Sequence, residues 1–302
     1  MSKPRIDQYL ALIVLFLIFL LPVKQVLPQE KILPEIKLSQ ISPIPILDID
    51  QQPDSFVATL SAQSIIAIDT NSASILLEKN SNQKVAPAST TKMLTALVAR
   101  DFFSLDQVLV IKEKPLNIGH TIGFVMGEEF LFEDILKALL VNSGNDAAEV
   151  LAQNHPQSYE EFVVAMNNKA SELHLQNSSF TNPSGLDAAA HYSTVADLSL
   201  IARELMKDEE LKELVKMQQV QISDISGNHQ YYLYNTNLLL GVEPGVVGIK
   251  TGTTDLAGEV LITQVEREDR KILIVVLGSQ DRYSDTKQII NWIFSYYQWQ
   301  EI

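Results

Sequence analysis

Three short stretches of this 302-residue chain combine residue types that can do chemistry together. The first is Ser89-Thr90-Thr91-Lys92. Residues at i and i+3 share one face of a helix, so the serine hydroxyl and the lysine amine lie about one turn apart. A helix start also places unpaired, partially positive backbone N–H groups beside the hydroxyl. Lysine acts as a base only when neutral, so its pKa must fall from about 10.4. A second cation roughly 5 Å away, at an effective dielectric of about 20, contributes about 3 kcal/mol, or about 2 pKa units. Desolvation adds to that fall. The second stretch is Ser143-Gly144-Asn145, where a hydroxyl can relay a proton and an amide can hold a peptide group. The third is Lys250-Thr251-Gly252, a cation and a hydroxyl for a carboxylate, with a glycine that admits a substrate backbone. Each stretch also has a plain structural reading: a serine N-cap, an Asn-Ser-Gly-Asn turn, and a surface turn before a strand.

The periodicity around these residues predicts the elements that must hold them. Ser64 to Ile68 reads as a strand, with a turn at Asp69 to Ser72 and a return strand at Ser74 to Glu78. Helical spacing predicts helices over Ala88 to Phe102, Phe130 to Leu140, Asp146 to Leu151, Tyr159 to Leu173 and Ala196 to Met206. Strands follow at Glu259 to Val265 and Lys271 to Leu277 around a charged turn, then a helix from Ser284 to about Tyr297. Strands at both ends with helices between imply a sheet shared by the two chain ends and a helical lobe from the middle. Ser89 then sits at a helix start, Ser143 in a helix-end turn and Lys250 at a strand edge.

Composition removes other chemistries. There are 37 acidic and 23 basic residues, a formal charge of -14, which disfavours nucleic acid as a partner. Cysteine is absent, so thiolate nucleophiles, disulfides and cysteine-ligated metals are excluded. His120, His155, His174, His191 and His229 show no ligand spacing, and no metal or cofactor is expected.

At the N-terminus, Lys3 and Arg5 precede an apolar run from Leu10 to Leu21. A helix from Tyr9 to Val23 would be about 22 Å long, against a bilayer core of about 30 Å. No small-x-small cleavage site follows. Residues 1–27 are therefore read as an uncleaved membrane anchor, with a cleaved secretory signal as the alternative. Residues 28–55, with Pro28, Pro34, Pro43, Pro45 and Pro53, read as an extended spacer. Residues 56–302 are then the catalytic or binding domain, and Lys24, Lys31 and Lys37 beyond the apolar run leave its side of the membrane poorly read from charge.

Taken in order, the three motifs resemble those of penicillin-binding proteins and class A β-lactamases. The longer stretches are more specific. Pro87-Ala88-Ser89-Thr90-Thr91-Lys92-Met93-Leu94, Ser143-Gly144-Asn145-Asp146-Ala147-Ala148 and Gly248-Ile249-Lys250-Thr251-Gly252-Thr253-Thr254 resemble the serine D-alanyl-D-alanine carboxypeptidases, the low-molecular-mass penicillin-binding proteins. Asn182-Pro183-Ser184-Gly185-Leu186 and Asn235-Thr236-Asn237-Leu238-Leu239 resemble further landmarks of that family. The resemblance spans Ser61 to Trp292. Many members continue into a β-rich domain and a C-terminal amphipathic anchor; here the sequence stops soon after Trp292, which leaves the N-terminal segment as the expected anchor.

The resemblance implies an α/β fold, a penicillin-binding transpeptidase-like (β-lactamase-like) sandwich of a mainly antiparallel sheet with helices, plus a helical lobe. It implies Ser89 as nucleophile, Lys92 as its base and Ser143 as proton relay to the leaving amine. Asn145 would hold the substrate amide, Lys250 would keep the site positive, and Thr251 would bind the terminal carboxylate. Gly252 would allow close approach, and the N–H groups of Ser89 and Thr253 would form the oxyanion hole. Arg282 would be a second carboxylate contact, its bland reading being a surface arginine. The implied partners are a peptidoglycan stem peptide ending in D-Ala-D-Ala and β-lactams as covalent inhibitors. A D,D-endopeptidase would look nearly identical. A class A β-lactamase shares the three motifs but uses a glutamate to activate the deacylating water, and an inactive cell-wall binder would not need every catalytic side chain.

Overall fold

The computed structural model describes residues 42–48, 52–113 and 118–300. The chain forms β1 (Ile44–Leu47), α1 (Pro53–Val57), β2 (Ser64–Asp69), β3 (Ile75–Lys79) and α2 (Thr91–Phe102). It continues through β4 (Val108–Val110), β5 (Glu129–Leu131), α3 (Phe132–Leu140), α4 (Asn145–Gln153), α5 (Tyr159–Glu172), α6 (Val195–Leu205) and α7 (Glu209–Lys216). Then come β6 (Gln219–Ser223), β7 (Gln230–Tyr234), β8 (Val246–Thr254), β9 (Gly258–Arg267), β10 (Arg270–Ser279), α8 (Arg282–Tyr296) and β11 (Tyr297–Gln300).

The central sheet has the order β3-β2-β10-β9-β8, and every pairing in it is antiparallel. Its strands read as continuous apolar runs because both faces are covered. Ile66 and Ile68 of β2 and Leu273, Val275 and Leu277 of β10 face the core of the helical lobe. Ile65, Ala67, Ile272, Ile274 and Val276 face a second core closed by Ile289, Ile290 and Ile293 of α8. The expected sheet shared by both chain ends, with a helical lobe between, is the observed architecture. β8 is an edge strand, so one side of its backbone faces the lobe instead of another strand.

The strands β9 and β10 run further than the sequence pattern implies. Glu268 and Asp269 alone make the turn, both at positive φ (47° and 61°), as a tight two-residue hairpin requires. The helix expected from Ala88 begins as a 3₁₀ turn, Ala88–Thr90, before α2. The helix expected from Phe130 begins at Phe132, because Phe130 pairs with Leu109 across β4–β5. The β6–β7 hairpin and α7 escaped the sequence pattern altogether.

Part of the stretch read as spacer is folded. Ile44–Leu47 pairs antiparallel with Tyr297–Gln300, and Pro53 opens the short helix α1. Pro45 is tolerated there because β1 has only one neighbour. The folded unit therefore starts ahead of Phe56. The segment read as anchor or signal lies outside the described residues, among which no helix is long and apolar enough to cross a membrane.

Candidate active site

Ser89 sits in the 3₁₀ turn that feeds α2, after Ala88 in an unusual positive-φ conformation (49°). Two glycines make room for that turn. A Cβ on Gly185 would lie 1.9 Å from the Ala88 carbonyl oxygen, and Gly185 itself has φ +85°. A Cβ on Gly252 of β8 would lie 2.9 Å from both the Ser89 nitrogen and Ala88 Cβ. Gly252, expected from the sequence to admit a substrate backbone, also makes room for the nucleophile turn.

Lys92, one turn into the helix, is fully buried. Its Nζ lies 2.9 Å from Ser89 Oγ, 2.6 Å from Asn145 Oδ1 and 2.6 Å from the Ser184 carbonyl oxygen. Burial lowers its pKa to about 7, against the opposing pull of Glu149 and Asp146. The fall thus comes from desolvation rather than from the second cation that the spacing argument invoked. That repulsion bears on Lys250, whose pKa is pushed well down by burial, then by Lys92 and Arg282.

Lys250 is buried in β8 and its Nζ donates to Ser143 Oγ (2.6 Å) and to the Thr251 carbonyl (3.1 Å). Ser143 reaches it from the turn between α3 and α4, at φ 66°. Asn145 opens α4. Its Nδ2 donates to the Ile118 carbonyl (2.8 Å), which leaves its second amide proton for a ligand. Asp146 steadies the facing loop by accepting from the backbone N–H groups of Ile122, Gly123 and Phe124. Thr251 Oγ1 pairs with Thr236 Oγ1 at 2.6 Å. Arg282, the first residue of α8, donates through Nη1 to the Gly252 carbonyl and to Thr253 Oγ1, both at 2.8 Å. Its Nε is buried without a partner.

Ser89, Ser143, Asn145, Thr251, Gly252, Thr253 and Arg282 all line one cleft of about 680 Å³, and Lys92 and Lys250 reach its two serines from below. Three elements widely separated in sequence thus converge: the start of α2, the α3–α4 turn and the edge strand β8. Arg282 is bound into the cleft wall instead of lying on an open surface.

Several groups in the site carried no role in the sequence reading. The Ser184 carbonyl and the Thr236 hydroxyl lie in the Asn182–Leu186 and Asn235–Leu239 stretches, which resemblance singled out without a role. Glu149 is one helical turn from Asn145 on the same face of α4, a spacing that was available to find it. His191, treated as one of five scattered histidines, is buried beneath the nucleophile turn. Its Nδ1 accepts from the Thr181 N–H (3.1 Å), so Nε2 carries the proton and faces Thr91 Oγ1 at 2.9 Å. Burial lowers its pKa to about 4, so it is neutral at pH 7.

The sequence profile of the D-alanyl-D-alanine carboxypeptidases matches residues 49–281. The D-alanyl-D-alanine carboxypeptidase DacF of Bacillus subtilis is 33% identical over 246 residues, covering 78% of this chain and 63% of that protein. DacC of Escherichia coli is 31% identical over 257 residues, again covering 63% of its length. The chain therefore spans less than two thirds of these two relatives. DacB2 of Mycobacterium tuberculosis is 30% identical over 260 residues, covering 82% of this chain and 88% of that protein. Among solved structures, the Streptomyces K15 DD-transpeptidase superposes with a TM-score of 0.74 at 27% identity, covering 78% of this chain and 98% of its own.

Proposed function

This chain belongs to the D-alanyl-D-alanine carboxypeptidase family, and from that premise we propose that it removes the terminal D-Ala from peptidoglycan stem peptides through an acyl-enzyme on Ser89. The observation that carries the reading is the set of acceptors around Lys92. The Asn145 amide oxygen and the Ser184 carbonyl can only accept, so they take both N–H bonds of a neutral amine. The lone pair is then left to the third partner, the Ser89 hydroxyl, which can donate. The pocket therefore orients the free base toward the nucleophile's proton, and burial supplies free base at neutral pH.

Ser89 Oγ attacks the carbonyl before the terminal D-Ala while Lys92 takes its proton. The N–H groups of Ser89 and Thr253 hold the oxyanion, a contribution of a few kcal/mol, roughly, per donor. The C–N bond breaks as Ser143, held by Lys250 at 2.6 Å, relays to the leaving amine the proton that Lys92 took from Ser89, which returns Lys92 to its free base. Thr251 and Arg282 hold the carboxylate of the departing D-Ala, and Asn145 holds the acyl-side amide. Water then cleaves the ester and restores Ser89. No step calls for a metal or cofactor. β-Lactams acylate the same hydroxyl.

The same reading places the domain outside the cytoplasmic membrane, where this polymer lies, tethered by residues 1–27. Membrane extraction followed by N-terminal sequencing tests the tether: a mature chain beginning after Val23 rejects it. Mass spectrometry of products tests the chemistry. A pentapeptide stem should lose one D-Ala, and a labelled penicillin should map to Ser89. Cleavage of cross-linked dimers with pentapeptide left intact would reassign the enzyme as an endopeptidase.

A further inference from the structure

The β6–β7 hairpin has two unlike faces. Ile222 and Leu233 are buried in the core of the helical lobe, with Val220 and Tyr231 packed beside them. The outer face sets Gln219 opposite Tyr234, Gln221 opposite Tyr232 and Ser223 opposite Gln230. Tyr232 and Tyr234 are 65% and 60% exposed. Two residues apart on one strand, their rings rise from the same side about 7 Å apart. Gln219, Gln221 and the two tyrosines border a shallow depression of about 390 Å³.

No residue of this outer face is charged, in a chain where 20% of residues are. That excludes an ionic partner as its natural occupant: a phosphate polymer would call for cations, a basic peptide for carboxylates. Phenol rings offer flat apolar faces with a polar tip, and each glutamine amide both donates and accepts. These are the groups that a neutral sugar polymer matches. Its ring C–H faces stack on tyrosine, and its hydroxyl and acetamide groups pair with glutamine.

The face also runs into the cleft. The Tyr234 carbonyl accepts from Asn142 Nδ2 (3.0 Å), and Asn142 Oδ1 meets Nε2 of His120, a cleft residue, at 2.9 Å. Two residues beyond Tyr234, Thr236 lines the cleft and pairs with Thr251. We propose that the outer face of the β6–β7 hairpin is a platform for the uncharged N-acetylated amino-sugar strand that carries the stem peptide. The proposal rests on the carboxypeptidase reading, because the strand is the continuation of that substrate.

The test uses the full chain in detergent, with Ser89 first blocked by penicillin, and β-1,4-linked N-acetylglucosamine oligomers, uncharged strands of N-acetylated amino sugar, as the probe. The blocked wild type should bind these strands, and Tyr232→Ser/Tyr234→Ser should bind about tenfold more weakly. The unblocked variant should still be acylated by penicillin and release D-Ala from a soluble pentapeptide at the wild-type rate. Gln219→Glu/Gln221→Glu, which leaves the buried face of the hairpin untouched, should also weaken glycan binding. Absence of wild-type binding to these oligomers overturns the platform, as does unchanged binding by both variants. So does a folded tyrosine variant that loses pentapeptide turnover, or one whose only change is loss of self-association. Failure of Ser89 labelling or of D-Ala release is a separate result and strikes the carboxypeptidase reading itself.

Discussion

The pH dependence of acylation follows from the Lys92 pocket and can be worked through in numbers. The reactive form has Lys92 neutral, and burial sets its pKa at about 7. The neutral fraction then rises from about 9% at pH 6 to about one half at pH 7 and about 91% at pH 8. The second-order rate of Ser89 acylation by a fluorescent penicillin should climb about tenfold from pH 6 to pH 8 and level off above that. A lysine with an ordinary pKa of about 10.4 would give a different curve, rising about tenfold per pH unit through pH 9. Stopped-flow or gel-based labelling across pH 5.5–9.5 separates the two. Glu149→Gln sharpens the test, because Glu149 opposes the fall in the Lys92 pKa. Its removal should move the midpoint to lower pH without abolishing labelling. A flat profile between pH 6 and 8, or a log-linear rise past pH 9, refutes the assignment of Lys92 as a base prepared by burial.

Other consequences can be measured on the same protein. Lys92→Met should abolish labelling and remove a pH-dependent strain: between about pH 7 and 10.4 the unfolded lysine binds a proton that the native one does not, so wild-type stability rises with pH there. Chemical denaturation at pH 7 and pH 10 should show the wild type gaining about 3.5 kcal/mol relative to the variant. Lys250→Ala should slow acylation by orders of magnitude with a small change in melting temperature, since Lys250 contacts Ser143 in the cleft and its removal relieves a buried amine. Gly252→Ala forces a methyl to 2.9 Å from the Ser89 nitrogen, so labelling should collapse while stability falls by about 1–3 kcal/mol. His191 is held neutral, with its native pKa below the unfolded one. Wild-type stability should therefore fall as pH drops from about 6.5 to 4, by up to about 3 kcal/mol, and His191→Gln should flatten that loss.

The candidate site residues were legible in the sequence chiefly because the stretches around them resemble one family, since each motif alone also reads as a cap or a turn. Ser89 and Lys92 share a helix face by spacing alone. The buried strands β2, β9 and β10 announce themselves through β-branched runs, because both of their faces are covered. What stayed hidden is what distant contacts create. Nothing near Ile44–Leu47 predicts a strand, since its partner lies some 250 residues later at Tyr297–Gln300, about the longest separation the chain allows. Ser184 acts through its backbone carbonyl, which no side-chain motif can advertise. The lysine pKa shows the same limit most clearly. Motif chemistry supplies two cations and suggests that they repel, whereas burial of Lys92 is a property of the assembled lobe, built from α2, α4 and the Ser184 loop together. The order of causes is thereby reversed: packing first removes water from the amine, two acceptors then fix its orientation, and the neighbouring charges only adjust the result. A variant that loosens this packing without touching Ser89 or Lys92 should therefore carry the acylation midpoint back toward the ordinary lysine value.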